Sequence, residues 1–167
     1  MPKKIIEDAI IEIHSGDSQK SALDLIAWLK ENKLNPAQSS STTWKISAKA
    51  CVVCYFRFDF SAGIVTIHPI IGEYASDSVS AEMKDITLAN KKEGRYCGEK
   101  CHGRYCSYML KTIFGEKYHD ACGNSIIFEN PAANEIECIK VLIKMRLDVI
   151  KNGKLMAVLP RNFACTG

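Results

Sequence analysis

The chain has 167 residues, 47% of them hydrophobic and 25% charged, and a formal net charge of +3 at neutral pH. That length suits one domain with a real core and would squeeze two complete ones, and the balance is that of a folded protein rather than a disordered one. So small a charge makes no case for nucleic acid by itself and leaves that question to local clusters.

Nothing announces export or a membrane. Met1-Pro2-Lys3-Lys4 begins like a charged leader, but Glu7, Asp8 and Glu12 interrupt the apolar run behind it, and a signal peptide needs that run unbroken. No apolar stretch approaches the roughly 20 residues that span a bilayer, and Cys165 stands one residue too near the end for prenylation. The expectation is a cytoplasmic protein. In that reducing setting the eight cysteines are thiols or metal ligands rather than disulfides.

In chain order, residues 3–14 predict a first helix, since Ile6, Ala9, Ile10 and Ile13 recur at helical spacing. Ser15-Gly16-Asp17-Ser18 breaks it. A second helix runs to about Asn32 with Ala22, Leu25, Ile26 and Leu29 buried and Trp28 on the flank. Ser21 to Asp24 has the pattern of a capping box. Asn35-Pro36 ends the helical pattern, and residues 36–43 read as a polar loop.

Three strands follow. Residues 44–49 alternate apolar and polar, as a half-exposed strand does. Residues 51–58 are nearly continuous in apolar and aromatic side chains, which predicts a strand covered on both faces, and 64–70 follow a turn ending at Gly63. Together they predict an antiparallel meander with the second strand at its centre. Residues 81–90 predict a short helix, and Met109, Leu110, Ile113 and Phe114 have helical spacing broken at Gly115. Residues 125–128 are a fourth strand. The last element is a helix from Pro131 to Lys151, capped by Asn130, with Ile136, Ile139, Ile143, Leu147 and Ile150 as its core stripe. Asn152-Gly153 stops it and leaves 154–167 as a tail.

The sharpest chemical signal lies between Arg95 and Gly123. Cys97, Cys101, Cys106 and Cys122 follow the pattern C-x3-C-x4-C-x15-C, with His102 and His119 in the same window. Sulfur ligands set close together beside glycines can wrap one tetrahedral zinc ion. The four cysteines are the expected ligands and the two histidines alternates, although the spacings are looser than the common C-x2-C knuckle. A second reading is redox, because Lys100, Arg104 and His102 would lower a thiolate pKa among neighbouring sulfurs. Cys51-Val52-Val53-Cys54 has C-x-x-C spacing, but on a regular strand those two side chains point to opposite faces. A third reading is nucleic acid, from Lys91, Lys92, Arg95, Lys100 and Arg104 interleaved with Tyr96 and Tyr105 and diluted by Glu93 and Glu99. Against these stands the plain alternative of structural cysteines and a solvated charged face. His68, with Trp44 and Tyr55 on neighbouring strands, could line a ligand pocket, weighed against a hydrogen-bonded structural histidine. His14, ending the first helix, fits a surface residue facing the helix dipole. No nucleophile elbow, Walker loop, dinucleotide fingerprint or H-E-x-x-H occurs.

The first helix, the 44–70 meander and the closing segment Ile126-Ile127-Phe128 with Ile136 to Arg146 resemble YdhG-like bacterial domains of unknown function. That resemblance implies a small α+β fold pairing a sheet with flanking helices. Ala22 to Leu29, Ile113 to Tyr118 and Glu137 to Lys140 are similar to segments of uncharacterised cysteine-rich proteins of anaerobic bacteria, which implies that Cys97, Cys101 and Cys122 belong to a cysteine-containing region. Neither likeness brings an activity with it. The sequence therefore predicts one α+β domain over 1–153: a small antiparallel sheet flanked by an N-terminal helical hairpin and a long C-terminal helix, with a cysteine-rich insertion over 94–123. The expected function is a zinc-held binding module for a small molecule or protein partner, leaning away from an enzyme. A thiol-based redox enzyme or sensor is the alternative, and a nucleic-acid-binding zinc module the third.

Overall fold

The computed structural model describes residues 4–72, 79–92, 109–122 and 125–152. Two helices open it, α1 (Ile6–Ile13) and α2 (Gly16–Glu31), antiparallel and in contact as the predicted hairpin. Gly16 permits the sharp break between them, because its φ of +62° is a conformation other L-residues adopt only under strain. Ile6, Ala9 and Ile10 of α1 and Ala22, Leu25, Ile26 and Leu29 of α2 turn inward together, as their spacing requires. Ser21 and Asp24 form no capping box. They lie within α2, which already starts at Gly16.

The chain then builds β1 (Ala37–Ser40), β2 (Thr43–Ala48), β3 (Cys51–Asp59) and β4 (Ile64–Pro69). Residues 36–43, expected to be a loop, thus contribute a strand. It is the edge of the sheet, mostly exposed, and polar side chains on so short a strand blunt an edge that would otherwise recruit another chain. After α3 (Ala81–Ala89), a hairpin pairs β5 (Met109–Ile113) with β6 (Glu116–Cys122). The helical turn expected at 109–114 is therefore a strand. Phe114 and Gly115, at φ +51° and +85°, make a tight reversal whose two positive φ values suit a hairpin and stop a helix. Next, β7 (Phe128–Glu129) joins β4, and α4 (Ala133–Lys151) closes the fold.

The main sheet is antiparallel with order β1-β2-β3-β4-β7, so β3 is central as predicted. One face carries Trp44, Ile46, Cys54, Phe56, Phe58, Val65, Ile67 and Phe128, which share one core with the inward residues of α1, α2 and α4. The architecture is α+β, with helices gathered on one side of the sheet.

A bulge in β3 changes the expected alternation. Ile46 pairs with Cys54 but Ser47 with Val52, so Val53 is the extra residue. Val53 and Cys54 both become fully buried, and Cys51 returns to the helix side opposite Ala48. Cys51 and Cys54 accordingly share a face, contrary to the alternation rule. They remain three residues apart on a strand, roughly 10 Å at the ordinary rise, beyond disulfide reach. Nor is β3 covered on both faces, since Arg57 is exposed.

The β2–β3 turn stores strain. Lys49 and Ala50 hold φ values of +46° and +64° with no glycine between them. Lys49→Asn with Ala50→Gly should raise stability by roughly 1–2 kcal/mol, since each left-handed non-glycine residue costs about that much. An unchanged denaturation midpoint would show that this turn is relaxed in solution.

Asn130 does not cap α4; Ala132 holds that position. The Glu135 carboxylate accepts from the Ala132 N–H at 2.9 Å, and its other oxygen accepts from Asn90 Nδ2 at 2.9 Å, tying the end of α3 to the start of α4. Asn130 instead braces the sheet: its N–H donates to the Val65 carbonyl and its Oδ1 accepts from the Val65 N–H, both at 2.8 Å. At the α3–α4 contact the Thr87 hydroxyl donates to the Met83 carbonyl at 2.7 Å and lies 3.2 Å from Cys138 Sγ.

Candidate functional site

The sheet face turned away from α1, α2 and α4 is fixed by register. Lys45 lies opposite Tyr55, which lies opposite His68; Thr43 lies opposite Arg57, then Thr66, then Glu129. Lys45 and Arg57 are exposed, Tyr55 and Thr66 half-buried. The Arg57 guanidinium stands 6.0 Å from the Tyr55 ring centre, at the outer limit of a cation–π contact.

His68 is 6% exposed on this face. Its Nε2 shares a 3.0 Å hydrogen bond with the Thr66 hydroxyl one alternation earlier on β4. Burial, helped by the nearby Arg57 charge, pushes the His68 pKa down to about 3. The ring is neutral at physiological pH and too weak a base to carry protons there. This is the chemistry of a structural histidine.

Of the three residues expected to line a pocket, the structure brings two together. Tyr55 and His68 are cross-strand partners. Trp44 is on the opposite face, 1% exposed, with its ring 4.9 Å from Phe58 in an edge arrangement at 72°. There it backs a different hollow, a groove of about 330 Å³ between the start of α1, the end of α2 and β1. Lys4 and Lys30 border that groove, but each is ion-paired, to Glu12 and Glu7 respectively.

Of the six candidate metal ligands, Cys97, Cys101, Cys106 and His102 lie outside the described residues. His119 occupies the irregular middle of β6, and Cys122 is its last residue, paired with Met109. Where the chain leaves the domain for this segment and where it returns are pinned together: Lys91 bridges Ile126, and the Lys92 N–H donates to the Ser125 carbonyl at 2.9 Å. The excursion between them is closed at its base, and within it Ile113 and Phe114 return to the main core, 1% and 4% exposed.

Among the described residues no three His, Cys, Asp or Glu side chains assemble a metal site. Cys51, Cys54 and Cys138 are free thiols. Burial raises the pKa of Cys54, and likewise of Cys138 against the opposing pull of its Thr87 hydrogen bond, so both resist ionisation. His14 ends α1 with its pKa lowered, mainly by burial and partly offset by the Asn130 side chain.

Sequence reasoning missed one charged residue altogether. Arg146 lies in the buried stripe of α4. Helical spacing from Ile139 and Ile143 would have placed it there.

Comparison with protein-family models, curated proteins and solved structures returned no match. No described helix is long and apolar enough to cross a membrane.

Proposed function

We propose that the chain is a small cytoplasmic α+β binding module whose cysteine-bearing excursion is held by one zinc ion through Cys97, Cys101, Cys106 and Cys122. It takes a small molecule or protein partner. The observation that carries this reading is the closure of the excursion. The C-x15-C separation between Cys106 and Cys122 looks long, but Met109 pairs with Cys122 and Cys106 is only three residues before Met109. Three residues reach at most about 10 Å, so the hairpin allows what the sequence separation alone would not. Cys122 is likewise three residues from the pinned base at Ser125, and Cys97 and Cys101 fall between that base and the hairpin. Thiolate ligands require a compartment that keeps them reduced. His68, buried and bonded to Thr66, fits a structural part of the sheet. The helix-free face, with exposed Lys45 and Arg57, is where the partner docks.

The test is metal analysis of protein purified under reduction without added metal, with thiols counted before and after a chelator. The expected result is about one zinc per chain and about four thiols released on chelation. Replacing Cys122 by Ser should lower the zinc content, whereas Cys51→Ser should not. Metal-free protein whose count of reactive thiols the chelator leaves unchanged would end the zinc reading and favour the thiol-redox alternative.

A further inference from the structure

Three large apolar side chains stand exposed among the described residues: Ile5, Ile11 and Phe60. Two of them gather at the groove between α1, α2 and β1. Ile5, 58% exposed, lines it, and Lys4, which lines it too, holds Nζ 5.0 Å from the Phe60 ring centre. Pro36, Ala37 and Trp44 add apolar walls. As the edge strand, β1 has no strand partner on its outer side among the described residues. The groove's lysines are already ion-paired, to Glu12 and Glu7, which leaves little to attract a charged ligand. A hollow of about 330 Å³ suits a few aliphatic side chains of an extended segment rather than a globular surface.

The chain carries such a segment close by. α2 lies between α1 and α4 and touches both. Ser21 and Asp24 of α2 border the same hollow as Glu137 and Lys140 of α4, and Lys144 Nζ stands 5.7 Å from the Trp28 ring centre. The two helices therefore run parallel, and α4 ends on the side where α2 leads into β1. Neighbouring helices pack 8–10 Å apart, which puts the groove roughly 10–20 Å from that end. Leu155 and Leu159 stand four and eight residues past Lys151, a reach of at most about 14 and 28 Å. They bound the run Leu155-Met156-Ala157-Val158-Leu159, wholly apolar between Lys154 and Pro160. We propose that residues 155–159, outside the described residues, lie extended in this groove along β1 and cover Ile5. Zinc plays no part in this docking, so either reading can fail alone, and the helix-free face stays open for a partner.

The test is limited trypsin digestion of the full chain, with cleavage after Lys154 and Arg161 followed by mass spectrometry. Those bonds flank the run, and their cleavage tracks the fraction of tail released from the groove. Ile5→Asp puts a charge into the groove wall. It also strengthens α1, because Ile5 is the N-cap and makes no side-chain cap bond, whereas Asp does. Loss of the tail about tenfold faster in this variant is the expected result, and a weakened α1 cannot account for it. Val158→Asp, which alters the tail alone, should speed cleavage as much, and the double variant no more than either single one. Wild-type cleavage as fast as that of a synthetic 151–167 peptide, or a rate that Ile5→Asp leaves unchanged, overturns the proposal. So do effects that multiply in the double variant. Protection that fades on dilution overturns it too, since it would seat the tail of a second copy in the groove.

Discussion

Between pH 7 and pH 4 the protein should lose about 3 kcal/mol of stability through His68 alone. An unfolded histidine binds its proton near pH 6.5, whereas the buried His68 ring does so only near 3. The unfolded state therefore holds more protons throughout that interval. Stability is fully present above about pH 6.5, falls by about 1.4 kcal/mol per unit as pH drops, and stops falling through this group below about 3. Carboxylates and His14 add their own acid sensitivity, so the diagnostic quantity is a difference in slope. Urea unfolding of the wild type and of His68→Gln at pH 7, 6, 5 and 4 supplies it. The variant should lose about 3 kcal/mol less across that interval, whatever its stability at pH 7. Parallel curves would show that His68 is solvated in the native protein.

What the sequence disclosed follows from how locally each feature is encoded. The stripes of α2 and α4 are legible because a helix writes its buried face at a spacing that few other structures produce, and all their residues except the half-buried Leu147 are buried. Residues 109–114 were not legible from apolar spacing, since 109, 110, 113 and 114 fit a helix as well as a strand. The deciding signal was the Phe114-Gly115 turn. Strand β1 has no apolar alternation of its own and exists through pairing with β2, a partner no local pattern reveals. The site divides the same way. Tyr55 beside His68 follows from alternation once the meander is assumed. Trp44 alternates with Ile46 and not with Lys45, which already assigns it to the core. The Lys92–Ser125 closure is long-range and has no sequence signature, and Arg146 hides because the stripe rule looks only for apolar residues.

Adjacent residues on β3 should differ in cost several-fold when cut to alanine. Phe56 is fully buried at the centre of the sheet, between Trp44 on β2 and Ile67 on β4, on the face covered by the helices. Phe56→Ala removes most of an aromatic side chain from a close-packed interior and leaves a cavity that strands tied on both sides cannot collapse. The expected loss is about 3–5 kcal/mol. Arg57 is one residue further, exposed on the other face, and gives up only a marginal contact with the Tyr55 ring. Arg57→Ala should cost less than about 1 kcal/mol. Because strand side chains alternate, a register slip of one residue would exchange the two positions. The pair of measurements therefore tests register as well as packing. Denaturant midpoints should separate widely at similar slopes. Comparable losses, or the larger one at Arg57, would mean that β3 faces the helices with the wrong set of residues, and the helix-free face proposed for partner binding would then be the core.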